Sequence, residues 1–181
     1  MADIIECLKT AINPSFVPSD QNWLRESIVV GKTPLTMACE IHPYKDQQHL
    51  LCQFDRSGAN NTLFPYFNPK VDGLVSMCDY ILFVEEPRRI LVLLLELKHS
   101  ASPIQQLNVS LPFGKFICDR LKVLFGDFGK PFVFRKIGIK QMYNPKHVTQ
   151  EYRFEFNGDD FALLPNPHEM LLKMISVVIP E

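Results

Sequence analysis

Charged residues stand at both ends of a strongly apolar stretch, CDYILFVEEPRRILVLLLELK, at residues 78–98. Burying them there is costly unless they are paired or bind a cation. Asp79 and Glu96 can supply carboxylate oxygens and Leu97 a backbone carbonyl, which are the ligands that Mg²⁺ or Mn²⁺ prefers. Lys98 can hold a metal-bound water or stabilise negative charge in a transition state. Together these groups suit the hydrolysis of a phosphodiester.

The same stretch predicts two neighbouring strands joined by a polar turn that contains a proline: residues 79–84 and residues 89–98. An antiparallel pairing of Val84 with Leu91 would set Asp79 opposite Glu96 and point Lys98 to the same face. A slip of one residue would send the two acids to opposite faces, and the apolar pattern leaves both registers open. Because both strands are almost continuously apolar, they should be buried on both faces, with helices covering the sheet.

The next segment, residues 102–126, predicts a long helix with Ser102 as its N-cap and Pro103 at its first position. Pro112 should kink this helix. Residues at alternating steps of three and four form the stripe that is expected to pack on the sheet: Ile104, Leu107, Leu111, Gly114, Cys118, Leu121 and Phe125.

Further elements follow from apolar periodicity and from the positions of Gly, Pro and Asn. The pattern predicts helices at residues 2–12, from 19 or 20 to 29, and at 167–174, strands at 49–55 and 131–139, and a hairpin around Asn157-Gly158. The predicted elements follow the order α, β, β, β, α, β, and a β-rich tail comes after them. This order indicates an α/β protein with a mixed central β-sheet flanked by helices. The length of 181 residues fits a single domain, residues 1–181.

One pattern resembles the motif of the PD-(D/E)XK nuclease superfamily. It consists of Asp79, sixteen intervening residues, and then a Glu-Leu-Lys triplet at the end of an apolar strand. The resemblance covers residues 49–140 and implies an αβββαβ restriction-endonuclease-like core, here with a β-rich C-terminal extension. It also implies dependence on a divalent metal and cleavage of phosphodiester bonds, usually in DNA. Asp79 and Glu96 would then be metal ligands and Lys98 the catalytic lysine, while Cys78 replaces the proline of the family motif.

Two further positions match groups that members of this superfamily carry. Many members carry a glutamine on the helix after the motif, and either Gln106 or Gln105 matches it. Gln106 lies on the flank of the apolar stripe, and Gln105 points about 100° away from Gln106 around the helix axis. The amide of Gln106 could orient a water or a phosphate there. A glutamate on the first helix is matched by Glu6. The alternative to an active site is a buried salt bridge between Lys98 and either acid, in a catalytically inactive binding module or a subunit of a larger complex.

Basic residues concentrate in one part of a chain whose net charge is −1, since residues 115–153 carry nine Lys or Arg against three acids. The net charge argues against a general nucleic-acid coat, but the asymmetry favours one basic face for nucleic acid, with DNA preferred to RNA by the family resemblance. The candidate contacts are Lys115, Lys130, Arg135, Lys136 and Lys140. Ordinary solvated faces of helices and strands would produce the same pattern.

Two cysteines and two histidines have the residue types and the pairing of a zinc site: Cys39, His42, His49 and Cys52. Six residues separate the two pairs, which is shorter than the spacing common in zinc fingers. We prefer the other interpretation, small buried cysteines with histidines in a loop and at a strand edge, and so expect no zinc. His99, beside Lys98 on the alternate face, is expected to be structural or to contact a phosphate rather than to act as a base.

The composition bounds the remaining function classes. An apolar fraction of 46% with 14 phenylalanines indicates a globular protein, and five scattered cysteines predict reduced thiols in the cytoplasm. We expect neither a membrane span nor a secretory signal, because the apolar runs are too short and the N-terminal pattern is wrong. No glycine-rich phosphate loop, nucleophile elbow, HExxH or CxxC motif indicates ATP hydrolysis, serine hydrolysis or thiol redox chemistry.

The leading hypothesis is therefore a small cytoplasmic nuclease that depends on Mg²⁺ or Mn²⁺ and acts in defence or nucleic-acid processing. It would act as a homodimer or with a protein partner in a larger system. The competing hypotheses are the inactive binding module and a zinc-stabilised interaction protein.

Overall fold

Two helices and nine strands make up the described part of the computed structural model, which covers residues 3–30, 33–43, 47–55, 64–71, 74–98, 102–140, 156–157, 161–165 and 169–171. The helices are α1 (Ile4–Ala11) and α2 (Ile104–Phe125), with a short 3₁₀ turn at Pro14–Phe16. The strands are β1 (Trp23–Val30), β2 (Thr33–His42), β3 (His49–Cys52), β4 (Tyr80–Glu85), β5 (Ile90–Lys98), β6 (Phe132–Lys140), β7 (Phe156–Asn157), β8 (Phe161–Pro165) and β9 (Glu169–Leu171).

The larger of two sheets has six strands in the order β3-β4-β5-β6-β8-β7. β3, β4 and β5 pair antiparallel, β5, β6 and β8 pair parallel, and β7 pairs antiparallel with β8. α2 forms the crossover that the parallel β5–β6 pair requires. The predicted mixed sheet is confirmed, and the order α1, β3, β4, β5, α2, β6 follows the predicted one, with a β1–β2 hairpin inserted after α1.

The pairing of β4 with β5 brings the two candidate acids together. Val84 pairs with Leu91. Asp79 directly precedes β4, so continuing this register sets it opposite Glu96. Of the two registers that the apolar pattern left open, the structure has the one that puts both acids on one face.

The two faces of the larger sheet are covered by different kinds of structure. α1 and α2 pack on the face that carries Ile81, Phe83 and Leu94. The opposite face, which carries Leu93 and Leu95, packs against β1 and β2 of a three-stranded sheet with the order β1-β2-β9. Burial on both faces is confirmed, but the expected cover of helices is wrong for the second face. A continuously apolar strand requires an apolar partner on each side, and a second sheet can provide one as well as a helix.

Two segments that we predicted as helices contain strands of this smaller sheet. The segment that we expected to be helical as far as Val29 contains β1, which pairs antiparallel with β2. Its β-branched residues Ile28, Val29 and Val30 favour an extended backbone. Within residues 167–174, β9 runs parallel to β2. Both segments are short, and pairing with a distant strand outweighed their local helical pattern.

The long helix is present as one uninterrupted element, with changes in its start and in its buried face. Pro103 is the N-cap residue, and Ser102 Oγ accepts a hydrogen bond from Ile104 N at 3.5 Å. Ile104 and Phe125 were expected in the buried stripe but are 43% and 39% exposed. The residues that α2 buries are Leu107, Ser110, Gly114, Cys118 and Leu121.

The remaining predicted elements are present with shifted ends. α1 lies within the predicted helix at residues 2–12, and β3 ends at Cys52, earlier than expected. Near the C-terminal end, β7 and β8 pair antiparallel with Asn157 opposite Phe161, while Gly158, the other residue of the predicted turn, lies outside the described residues. Within the described ranges, no helix has the length and apolar character that crossing a bilayer requires.

Candidate functional site

The two candidate acids lie at the ends of neighbouring strands and are joined by reciprocal hydrogen bonds. Asp79 N donates to Glu96 Oε2 at 3.0 Å, and Leu97 N donates to Asp79 Oδ2 at 2.6 Å. Asp79 is 8% exposed and Glu96 0%. The register produces this contact, because Asp79 stands opposite Glu96 where β4 begins and β5 ends.

Lys98 completes the cluster from the same strand as Glu96. Its Nζ lies 2.5 Å from Glu96 Oε1, and its side chain is 21% exposed. Residues two apart on a strand share a face, which places Lys98 beside Glu96. Because Lys98 is the most exposed of the three side chains, the cluster opens to solvent on its side.

The environment of the cluster shifts the pKa of each group in it. Burial raises the pKa of the Asp79 carboxyl, and the charge of Glu96 raises it further. Burial also raises the pKa of Glu96, although the hydrogen bond and charge of Lys98 partly offset this. For Lys98, burial would lower the pKa, but the hydrogen bond and charge of Glu96, with the charge of Asp79, raise it overall. The two carboxyl groups therefore release their protons less readily than free carboxyl groups do, while the amine of Lys98 holds its proton more firmly than usual.

Helix α2 contacts the chain just before Asp79 through two polar side chains. Gln106 Nε2 donates to Met77 O at 3.4 Å, while Gln105 is exposed. The predicted rotation of the helix, with Gln106 toward the sheet, is therefore confirmed. Ser110 Oγ accepts from Cys78 N at 2.6 Å and donates to Gln106 O at 2.7 Å, so it holds the chain just before Asp79. Sequence analysis missed Ser110, although it lies three residues after Leu107 on the buried face.

A third acid, Glu26 on β1, acts on the cluster and was missed by sequence analysis. Beyond the effect of burial, its charge raises the pKa of Asp79 and of Glu96. Burial raises the pKa of Glu26 itself, and the charge of Lys98 lowers it. Glu26 Oε2 is buried and, within the described part of the chain, accepts no hydrogen bond.

Tyr80 holds this part of β1 against the start of β4. Its hydroxyl accepts from Arg25 N at 3.1 Å and donates to Arg25 O at 2.7 Å. Because Arg25 precedes Glu26 and Tyr80 follows Asp79, this contact holds the segment that carries Glu26 against the segment that carries Asp79. The signal in the sequence was the position of Glu26 two residues after the buried Leu24, which indicates an inward side chain only if the segment is a strand.

Glu6, the candidate on the first helix, does not join the cluster. It is on α1, its side chain is 64% exposed, and its Oε1 lies 2.8 Å from Lys9 Nζ. Glu6 forms a surface ion pair one turn along the helix, as is common for acids in a first turn.

The five basic candidates are spread over the larger sheet and α2. Lys130 Nζ lies 2.6 Å from Glu85 Oε1, at the end of β4 opposite to Asp79. Arg135 lies next to Leu93 in the β5–β6 register and so faces the smaller sheet, away from the cluster. This placement of Arg135 counts against one basic surface shared by all five residues.

The other three basic residues lie on the helix-covered side of the sheet or at its end. Lys136 Nζ donates to Asn108 Oδ1 at 2.9 Å, and Lys115 Nζ lies 6.0 Å from the ring centre of Phe134. Lys140 pairs with Lys98 in the parallel register, which puts its backbone beside the cluster. In the backbone register of β5 and β6, Lys136 and Lys140 lie beside Leu94 and Lys98, on either side of the position of Glu96.

The four zinc candidates do not converge. Cys39 is buried in the core between the two sheets, whereas Cys52 is buried on the helix side of the larger sheet. His49 Nε2 lies 3.2 Å from Gln21 O and 3.1 Å from Asn22 Oδ1, and His42 Nε2 lies 3.4 Å from Glu40 Oε2. Burial raises the pKa of the Cys52 thiol to about 12, which disfavours the thiolate that zinc binds. His99 lies outside the described residues.

Across the described ranges, no group of three or more His, Cys, Asp or Glu side chains is arranged to hold a metal ion. The site consists of a buried acid pair, a lysine that forms an ion pair with one of the acids, and a third acid whose charge acts on all three.

Comparisons with models of protein families, with curated proteins and with solved structures find no match for this chain.

Proposed function

We propose that this chain is a nuclease that depends on Mg²⁺ or Mn²⁺ and has a restriction-endonuclease-like core. The observation that supports this proposal most is the pair of buried carboxylates, Asp79 and Glu96, with Lys98 Nζ 2.5 Å from one of them. Buried acids with raised pKa values are costly to keep as carboxylates unless a cation neutralises them. Their hard oxygen ligands, with the Leu97 carbonyl, fit Mg²⁺ or Mn²⁺.

In this proposal each residue of the chain has one role. A bound divalent cation would polarise a phosphate oxygen and lower the pKa of a water. Asp79 and Glu96 would hold that cation, and the Leu97 N–H donated to Asp79 Oδ2 keeps the carboxylate oriented. Lys98 would donate to the attacking water or to the charged phosphate, since its raised pKa keeps it protonated. Gln106 would orient a water or phosphate from the helix side.

The substrate that we propose is DNA, with a role in defence or nucleic-acid processing. Lys136 and Lys140 would contact its phosphates near the cluster, because Lys140 pairs with Lys98 and Lys136 lies on the side of the sheet that carries the acids. A homodimer or a protein partner would position a second strand of the substrate.

A nuclease assay tests the proposal. Plasmid, single-stranded DNA and RNA are incubated with the purified protein in Mg²⁺, Mn²⁺ or EDTA. We expect cleavage with either metal, none with EDTA, and loss of cleavage in Asp79→Asn, Glu96→Gln and Lys98→Met. Glu6→Gln is the matched control, because it removes one acid from an exposed ion pair. Activity equal to wild type in any of the three site variants would refute the assignment.

The second candidate is a catalytically silent binding module, and one observation favours it. Both oxygens of Glu96 are already engaged, Oε1 with Lys98 Nζ and Oε2 with Asp79 N, as in a purely structural ion pair. If the wild type cuts no substrate, and Glu96→Gln combined with Lys98→Met is at least as stable as wild type, the silent module is the better account. A buried ion pair without a function is often neutral or costly compared with uncharged replacements.

A further inference from the structure

We propose that Glu26 is a positioning residue for Lys98, and that it accepts the Lys98 ammonium when a divalent cation is bound at Glu96. This inference rests on the proposed metal-dependent function. It adds a residue from the β1–β2 hairpin, which lies outside the core elements of the sequence motif, to the set that the site needs.

The ion pair in the structure conflicts with metal ligation through the same oxygen. Lys98 Nζ lies 2.5 Å from Glu96 Oε1, and Glu96 Oε2 accepts from Asp79 N. Mg²⁺ binds oxygen at about 2.0–2.1 Å, and a cation bound to Oε1 at that distance would repel the Lys98 ammonium beside it. Cation binding at Oε1 would therefore favour withdrawal of the ammonium from that oxygen.

Glu26 offers an acceptor for the withdrawn ammonium. Its Oε2 is buried and accepts no hydrogen bond within the described residues, an arrangement that costs free energy until a donor arrives. The charges of Glu26 and Lys98 act on each other, and Tyr80 holds β1 beside the start of β4. Asp79 also acts on Lys98, but it belongs to the proposed ligand pair.

Direct ligation by Glu26 is the less suitable role. In the part of the chain that the structure describes, no three acidic, histidine or cysteine side chains are arranged to hold a metal. Glu26 therefore forms no three-residue ligand group with Asp79 and Glu96, while its charge still acts on Lys98. A neighbour that orients a reactive group without ligating the metal commonly changes metal affinity by about 10–100-fold.

Titration of Mn²⁺ into the metal-free protein, without nucleic acid, measures this role directly. Calorimetry is performed on wild type, Glu26→Gln, Lys98→Met and the double variant. We expect Glu26→Gln to weaken Mn²⁺ binding about tenfold in the presence of Lys98, because the displaced ammonium then lacks an acceptor. In the Lys98→Met background the same substitution should cause no further loss. Glu6→Gln, which removes an equal charge from α1, should bind Mn²⁺ as wild type does.

Three results would overturn the inference. Mn²⁺ affinity in Glu26→Gln equal to that of wild type would show that Lys98 needs no second acceptor. A loss of the same size with and without Lys98 would show that Glu26 is a ligand or attracts the cation by charge alone. Absence of Mn²⁺ binding in the wild type would remove the proposed function as well. If Glu26→Gln does not fold, Glu26→Ala, which also removes the charge, replaces it in the same cycle and is read in the same way.

Discussion

Replacing Lys98 with methionine should destabilise the metal-free protein in a way that depends on pH. Methionine keeps most of the aliphatic stem of lysine, so the change removes mainly the ammonium. Glu96, which is 0% exposed, then loses the partner 2.5 Å from its Oε1 and, among the described residues, keeps the hydrogen bond from Asp79 N. The variant therefore measures the cost of leaving a buried carboxylate without its cation.

The size of the effect follows from the burial of the pair. Removing one partner of a fully buried ion pair costs about 3–5 kcal/mol. The Lys98 side chain is 21% exposed and partly solvated, so we expect a loss of about 2–3 kcal/mol in the free energy of unfolding at about pH 8. Adding Glu96→Gln should recover most of this loss, because the amide removes the unpaired charge.

The pH dependence has a definite sign. The folded-state pKa of Glu96 is raised above its value of about 4.3 in the unfolded chain, so the folded state binds more protons between the two values. Stability therefore falls as pH rises through that interval. Without Lys98, whose hydrogen bond and charge lower the pKa of Glu96, the interval extends to higher pH. The difference between wild type and Lys98→Met should be small at about pH 5 and full at about pH 8.

Urea unfolding in EDTA, followed by the fluorescence of the single tryptophan Trp23, measures this difference at both pH values. Lys9→Met is the matched control, since it breaks an ion pair whose two side chains are 50% and 64% exposed, and it should cost less than about 0.5 kcal/mol. An equal loss at both pH values would contradict the reasoning, because a protonated Glu96 needs no cation. So would a loss at about pH 8 no larger than that of the control.

Three further substitutions test the contacts around the cluster. In a plasmid assay, Gln106→Ala should slow cleavage severely and Gln105→Ala hardly at all, because the Gln106 amide faces the sheet and Gln105 is exposed. A larger effect of Gln105→Ala than of Gln106→Ala would refute the assigned roles. Ser110→Ala should lower the free energy of unfolding, measured in urea, by about 1–3 kcal/mol, because it leaves the buried Cys78 N–H without its acceptor. Ser110→Thr keeps the hydroxyl, so a smaller loss in Ser110→Ala than in Ser110→Thr would contradict this reasoning. Tyr80→Phe should cost about 0.5–1.5 kcal/mol and speed amide hydrogen exchange in β1, and unchanged exchange there would refute the role of its hydroxyl.

Local features of the sequence were sufficient to predict the inner part of the fold. Continuous Ile, Leu, Val and Phe in two neighbouring segments indicated strands buried on both faces, and both strands are present as β4 and β5. The alternation of a strand placed Glu96 and Lys98 on one face without any knowledge of the register. The apolar stripe of α2 likewise indicated that Gln106, rather than Gln105, faces the sheet. These features depend on residues close in sequence, where backbone geometry dictates the direction of each side chain.

The tertiary structure decided what depends on distant partners. The pairing that sets Asp79 opposite Glu96 was one of two registers compatible with the apolar pattern. The cover of the second face by β1 and β2, in place of helices, depends on strand pairing between segments whose local pattern is ambiguous. The charge of Glu26 acts on the cluster, and Tyr80 holds β1 beside the start of β4 across 55 residues of sequence. The sequence by itself determined which residue types could do chemistry here. Long-range pairing and packing decided which of these residues share one buried site, because the free energy of burying a charge depends on its neighbours in space.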